Sequence, residues 1–408
     1  MNEPFSWGAA FAALQHRNFR LWFIGQSISL AGVWMQMTAQ GYLIYELTHS
    51  PVYLGYAAFA AGAPALLLML VGGVVSDRMP RRRLLILCQW AAMLISIILA
   101  GLCFSGMIRP WQILLIAGLS GVITAFDVPA RQAFVRELVE PADMPNAIAL
   151  NSTLFTLAMA IGPALAGLLY VKGGPGWCFI TNGISYLGVI VALGAMRGLV
   201  GPRRATGVSA VAAVVQGVRY AAAHPVIRVM IVITGVSTML GISFLTLIPV
   251  WAKDILGGDA QTNGWLQSAR GLGAMLGAMM VAVLGRRIRK GALVAAGMLV
   301  FPAFVVMFGL VRALPLALLA LCGSGWGFMV SLNALNTLIQ THVADELRGR
   351  VMSLYGLIFY SAMPVGALII GHLAAAISAP TTVLVAGGGG LVFAVWLLVA
   401  YPALRQME

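Results

Sequence analysis

Apolar residues in this chain come in runs, not at the alternating spacing of half-buried strands. Each run is long enough to span a bilayer, which takes about 20 residues, and short clusters of Gly, Pro and charge separate them. The runs predict helices at about 18–47, 51–76, 83–106, 110–135, 144–171 and 174–197, then at about 225–252, 262–284, 290–312, 314–341, 348–377 and 381–404. The expected fold is an all-α membrane protein of twelve transmembrane helices in two pseudo-symmetric six-helix bundles. Residues 1–197 form the first bundle, 198–224 a cytoplasmic linker with an amphipathic, interfacial middle, and 225–408 the second bundle.

Composition agrees, with 61% hydrophobic and 9% charged residues in 408, against roughly 45–50% and 25% in soluble domains. The net charge of +13 would suggest nucleic acid in a soluble protein, but the cations lie between apolar runs, so no nucleic-acid partner is expected. Their placement sets topology instead, because cytoplasmic loops carry the Lys/Arg excess. With the N-terminus inside, twenty cations fall on the cytoplasmic side, and Arg109, Lys172, Lys253 and Arg312 fall outside. Both termini are therefore expected in the cytoplasm of a multi-pass inner-membrane protein. Cys88, Cys103, Cys178 and Cys322 lie inside apolar runs without paired or metal-type spacing, and read as small hydrophobes. The N-terminus lacks the pattern of a cleaved signal, so the first helix is expected to act as the insertion signal.

The halves repeat each other weakly. Residues 132–167 align at constant offset with 336–371, matching Gly162 to Gly366 and Gly167 to Gly371, and GYAAFAAGAPALL (55–67) aligns with GWLQSARGLGAML (264–276). Small residues of this kind let helices approach closely. Two parallel repeats are what alternating access about a midplane site requires.

The loop after the second helix reads GGVVSDRMPRRR, residues 72–83. Gly73, Asp77, Arg78, Arg82 and Arg83 resemble the loop signature of the major facilitator superfamily, with Pro80 at a position where that family usually has glycine. The second half retains only GRRIRK (285–290), without the aspartate. PARQAFVRELV (129–139) and DELRGRVMSLYGLIF (345–359) resemble the branch containing siderophore exporters and macrolide or multidrug efflux proteins. The resemblance implies that Asp77 meets the N-terminal amides of the eleventh helix, expected near Arg350–Ser353, where the helix dipole favours negative charge. Asp127 can pair with Arg81, and Arg131, four residues on, can join them. The set Gly73, Asp77, Arg78, Arg81, Asp127 and Arg131 is thus expected to latch the cytoplasmic side in the outward-facing state, and protonation of Asp127 to weaken it. Arg82 and Arg83 are expected to set topology only.

In the resemblance helices 1, 4, 7 and 10 line the cavity, flanked by 2, 5, 8 and 11. Polar side chains at midplane depth are costly and functional by default. The substrate-binding candidates are Gln36, Gln40, Asn151, Gln267, Arg270, Asn333 and Asn336, with interhelical hydrogen bonding as the alternative role. Arg270 is the sharpest, an arginine about 12 Å below the surface with no acid expected at its depth. Few central acids favour an anionic or large amphipathic substrate.

No nucleotide-binding loop, metal constellation or nucleophile–base pair is present, which argues against an enzyme, a primary pump and any cofactor beyond a coupling proton. A channel or scaffold would need neither repeat nor latch. The expected function is proton-coupled export of a small organic or amphipathic molecule by a monomer in contact with membrane lipids, as an antiporter. Lipid or lysolipid flipping and facilitated uptake are the alternatives.

Overall fold

In a computed structural model, which describes residues 11–198, 210–285 and 287–407, the chain is helical throughout, with no strand among those residues. The first six long helices are α1 (Arg17–Thr48), α2 (Pro51–Arg78), α3 (Arg81–Phe104), α4 (Pro110–Val135), α5 (Met144–Gly173) and α6 (Pro175–Ala195). A linker helix (Ala210–Ala223) leads to α7 (Pro225–Ile255), α8 (Ala260–Leu284), α9 (Lys290–Leu310), α10 (Leu314–His342), α11 (Asp345–Ile377) and α12 (Ala379–Ala400). Eleven of the twelve are apolar and long enough to cross a membrane, α1 being the exception, because Gln26, Gln36 and Gln40 dilute its apolar content. Pro51, Pro110, Pro145, Pro175, Pro225, Pro315 and Pro380 lie in first turns. There proline's fixed φ suits the helix and its missing N–H costs nothing. Asp259 caps α8 by accepting from the amides of Gln261 at 3.0 Å and Thr262 at 3.1 Å.

Two elements depart from the sequence expectation. α7 is not one regular helix: it passes through π turns at Ser237–Ile242 and Trp251–Ile255 and a 3₁₀ turn at Ser243–Leu247. Pro249 accounts for part of this, since it cannot donate to the carbonyl four residues back and its ring crowds that carbonyl. α11 begins at Asp345, a turn before the expected Arg350–Ser353. The amides of those residues therefore lie inside the helix and are used by its own ladder.

The sequence repeat is a structural one. Gly162 of α5 packs on Ala31 and Trp34 of α1, and its counterpart Gly366 of α11 packs on Met239 and Ser243 of α7. Gly167 of α5 meets Gln261 of α8, as Gly371 of α11 meets Pro51 and Gly55 of α2. Gly121 of α4 lies against the Ala61 carbonyl of α2, and Gly325 of α10 against the Arg270 carbonyl of α8. Such backbone contacts leave no room for a methyl group and supply the packing that holds helices together in lipid.

Helix direction gives the molecule two ends. One carries the start of α1, the α2–α3 turn and the end of α12, and holds most of the arginines; the other carries the α1–α2 and α7–α8 turns. The buried apolar core forks between them. At the arginine-poor end a single cluster joins the halves, with Ile44, Leu54 and Phe179 beside Trp251, Phe308 and Ile370. At the arginine-rich end the core is two clusters, one of Phe19, Trp22, Leu85 and Phe134, the other of Met230, Val294, Leu338 and Leu397.

A candidate substrate cavity between the halves

Two helix seams join the bundles, α2 with α11 and α5 with α8, and both part at one depth. On α2, Gly55 packs against Ala367 and Gly371, and Gly62 against Pro364. Gly73 continues the same face, since residues seven apart nearly eclipse and a further four keep the stripe, yet a Cβ there would meet nothing within 4 Å. On α11 the stripe through Gly371 and Pro364 continues to Tyr360 and Ser353, both exposed. On α5, Gly167, Pro163 and Ala160, which meet α8, give way two and three turns on to exposed Thr153 and Ala149. On α8, buried Gly264 and Gly271 give way to Ala278, partly exposed, and Ala282, exposed. The halves are therefore zipped from the arginine-poor end to about the middle and separated beyond it, leaving a cavity open at the arginine-rich end.

Side chains lock the zipped half. The Tyr45 hydroxyl on α1 donates to Asp254 on α7 in a short hydrogen bond. Thr38 Oγ1 donates to Gln267 Oε1 at 3.5 Å, and Tyr56 Oη lies 3.4 Å from His372 Nε2. Tyr170 on α5 donates to Glu46 on α1 and stacks edge-on against Tyr42 at 5.3 Å between centroids. Sequence reading missed Tyr45, Asp254 and Thr38, because nothing in one chain signals which tyrosine finds an acid across an interface.

Arg270 sits at the apex of the cavity. It lies ten residues into α8, or ~15 Å along the axis, near the middle of a roughly 30 Å apolar core. Trp265, Leu272, Met279 and Val283 form the outer, exposed face of α8, and Arg270 projects from roughly the opposite face, with Asn263 and Gln267. Its backbone is wedged between Gly325 of α10 and, at Gly271, Met159 of α5. Among the described residues Arg270 makes no ion pair or hydrogen bond, and its Nε is buried without a partner. The residue as a whole is nevertheless partly exposed. Asn263, which sequence reading missed, is fully buried with both amide atoms unpartnered.

The other candidates divide. Gln36 is corrected: it is buried at 7% exposure within the first bundle. There its Oε1 accepts from Ser96 of α3 and Asn182 of α6, both at 2.8 Å. A glutamine that ties three helices of one bundle together is structural glue and does not face the cavity. Gln40 lies 3.5 Å from the Ile113 carbonyl of α4. Asn336 accepts from Gln340 on its own helix. Asn333 and Asn151 are partly exposed. A small apolar cleft lined by Ser237, Phe301, Pro302 and Gly387 belongs to α7, α9 and α12, and none of the candidates lines it.

The charged cluster at the arginine-rich end is built differently from the expected latch. Arg81 pairs with Glu137 and, at 3.4 Å, with Asp77; it does not pair with Asp127. Asp127, 7% exposed, is held by Arg131, with Nε to Oδ2 at 3.0 Å, and accepts from Gln89 Nε2 at 3.0 Å. Arg131 Nη1 also donates to Gln26 Oε1 at 2.9 Å. Asp127 points into the bundle toward α1 and α3, whereas Arg81 lies at the turn, within reach of Glu137 just past α4. Asp77 is not bonded to α11, whose amides at Arg350–Ser353 are internal, and Arg78 is exposed. Every bond of this cluster stays within the first bundle, as expected where the halves have parted. Arg82 does more than set topology, donating to the carbonyls of Gly194 at 2.8 Å and Met196 at 3.3 Å at the C-terminal end of α6, where a cation suits the helix dipole.

A family profile described as "Transmembrane secretion effector" matches residues 8–408. Enterobactin exporter EntS from Escherichia coli O1:K1 is 26% identical over 414 residues, covering 100% of this chain and 97% of that protein; that of strain 536 of O6:K15:H31 is likewise 26% identical. Among solved structures, a POT peptide transporter superposes with a TM-score of 0.76 at 14% identity, covering 96% of this chain and 95% of that one. A bacterial homologue of the human lysosomal transporter Spinster, in an inward-facing conformation, gives 0.68 at 14% identity, covering 98% and 97%.

Proposed function

Because the chain belongs to the transmembrane secretion effector family of the major facilitator superfamily, and is thus a multi-pass transporter, we propose that it exports a small organic molecule from the bacterial cytoplasm. The arginine-rich end lies in the cytoplasm with both termini, as the Lys/Arg asymmetry favours. Residues 1–197 and 225–408 rock about the apex of the cavity, joined by 198–224.

The forked core is the observation that carries this reading. One apolar cluster spans both halves at one end, and two separate clusters stand at the other. Alternating access needs two states that exchange which end is sealed. This state is the inward-open one: Gly73 faces open space and the charges around Asp77, Arg81 and Arg131 are satisfied within the first bundle. In the outward-open state Gly73 closes on the stripe of Ser353 and Tyr360, and Asp77 is brought toward α11.

Coupling is to a proton in antiport, with Asp127 as the carrier. It is buried beside Arg131, and protonation would remove the charge that holds Arg131, changing how α1 and α4 are held. The similarity to enterobactin exporters favours a siderophore- or drug-like substrate and outward transport.

Counterflow in proteoliposomes tests the reading, with radiolabelled catechol, macrolide and lysolipid probes on either side. A carrier accelerates exchange of one class when the same class is present in trans, and an inward pH gradient drives its efflux. Absence of trans-acceleration for every class, or flux with the single-step kinetics of an open pore, would remove the carrier reading.

A further inference from the structure

The two halves agree where they pack and disagree where they face the cavity. Under the repeat that pairs Gly55 with Gly264 and Gly62 with Gly271, Asn263, Gln267 and Arg270 correspond to Leu54, Ala58 and Ala61. The scaffold at this position is the same in both halves: Gly121 packs against the Ala61 carbonyl as Gly325 packs against that of Arg270. An alanine therefore satisfies the fold, and the arginine is additional to it.

An arginine at this depth is costly unless something neutralises it. Arg270 cannot snorkel to either surface from the middle of α8, and no carboxylate of the described protein pairs with it. The acids at the sealed end are engaged elsewhere: Glu46 with Tyr170, Asp254 with Tyr45, and Asp259 with the first amides of α8. The residue as a whole keeps part of its surface accessible.

We infer that Arg270 is the anchor for an anionic group of the substrate, a carboxylate, sulfonate or phenolate, entering from the arginine-rich end. This rests on the exporter reading and names its substrate class: an organic anion. Gln267 and Asn263 extend the site along α8. Gln267 is held by Thr38 across the seal, so a substrate group that takes Gln267 competes with a contact that keeps the halves closed. Asn263 offers an unspent donor and acceptor one turn further toward the sealed end.

The experiment uses purified full-length protein and two probes of the same shape, 1-naphthoate and the neutral 1-naphthamide, with affinity measured by equilibrium dialysis. The wild type should bind the acid about tenfold or more tightly than the amide, the range of a charge-assisted pair out of water. Arg270→Ala, which installs the side chain tolerated at Ala61, should abolish that preference at unchanged melting temperature, and Arg270→Lys should keep part of it. If Arg270→Ala does not fold, the ranking of wild type over Arg270→Lys over Arg270→Gln decides. A wild type without preference for the acid, or a variant lacking the cation whose preference is unchanged, overturns the anchor. Counterflow separates this from the exporter reading: exchange without an anion preference removes the anchor alone, and anion preference without exchange removes export while the site stands.

Discussion

Removing one hydroxyl at the sealed end should open that end measurably. Tyr45 is 2% exposed and donates across the halves to Asp254, so Tyr45→Phe deletes a bond that exists only when the arginine-poor end is shut. A hydrogen bond to a charged group contributes about 1.5–3 kcal/mol, and because Asp254 is itself exposed the lower figure applies. About 1.4 kcal/mol is a factor of ten in an equilibrium. If the outward-open state is roughly 1% populated in the wild type, it rises to roughly 10%, while the inward-open population barely changes. The assay must therefore read the sealed side. Ala260, 4% exposed and packed at Gly167, is replaced by cysteine in a protein lacking Cys88, Cys103, Cys178 and Cys322. Its labelling by a membrane-impermeant maleimide from the arginine-poor face should then accelerate about tenfold in Tyr45→Phe. Asp254→Asn should give a similar gain, and the double variant little more than either alone. Unchanged or slower labelling in Tyr45→Phe would refute the claim that this bond helps seal the end.

Gly73→Trp should leave the melting temperature within a degree or two, since the position faces open space, but cut transport severely by blocking closure of α2 on α11; transport at the wild-type rate would contradict the parted seam. Asp127→Asn should destabilise by about 1–3 kcal/mol, below the figure for a fully buried pair because Arg131 is 29% exposed; it should also make efflux insensitive to the pH gradient, both read by thermal unfolding and proteoliposome flux. Gln36→Ala should cost about 1–3 kcal/mol by removing the acceptor shared by Ser96 and Asn182 without altering the acid-to-amide preference; a changed preference would return Gln36 to the cavity.

Helix number, order and the repeat were legible because they rest on local quantities. A run of apolar residues must become a helix in lipid, and Gly162 and Gly366 could be matched by offset alone. The depth of Arg270 followed from counting residues along α8. What could not be read was direction around each helix. Gln36 and Gln40 lie one turn apart, yet Gln36 is enclosed by α3 and α6 whereas Gln40 approaches α4. α1 is polar on more than one face, so no apolar stripe marks its buried side. The pairing of Arg81 went astray for a related reason: Asp127 and Glu137 are both acids near the same end, and only the turn after α4 places Glu137 at Arg81. Asn263 escaped notice because an asparagine four residues past a cap, within the first turn, looks like part of the cap.

Pseudo-symmetry gives a way to separate side chains that build this fold from those that use it. Glycines that repeat sit where helices approach closely: Gly55 and Gly264 both meet backbone of the facing helix, while Gly62 meets the Pro364 ring where its counterpart Gly271 meets the Met159 and Ala160 backbone. Side chains that do not repeat fall at the two places where a transporter must be asymmetric. One is the apex, where the second half carries Arg270 and the first an alanine. The other is the arginine-rich end, where Gly73 and Asp77 correspond in sequence to Ala282 and Arg286. A symmetric pair of bundles would have no preferred face and no distinction between an empty and a loaded midplane. A cation in one half at the apex, and residues of opposite charge in the two halves at the arginine-rich end, supply both, at a cost in buried polarity at the apex that packing alone does not require.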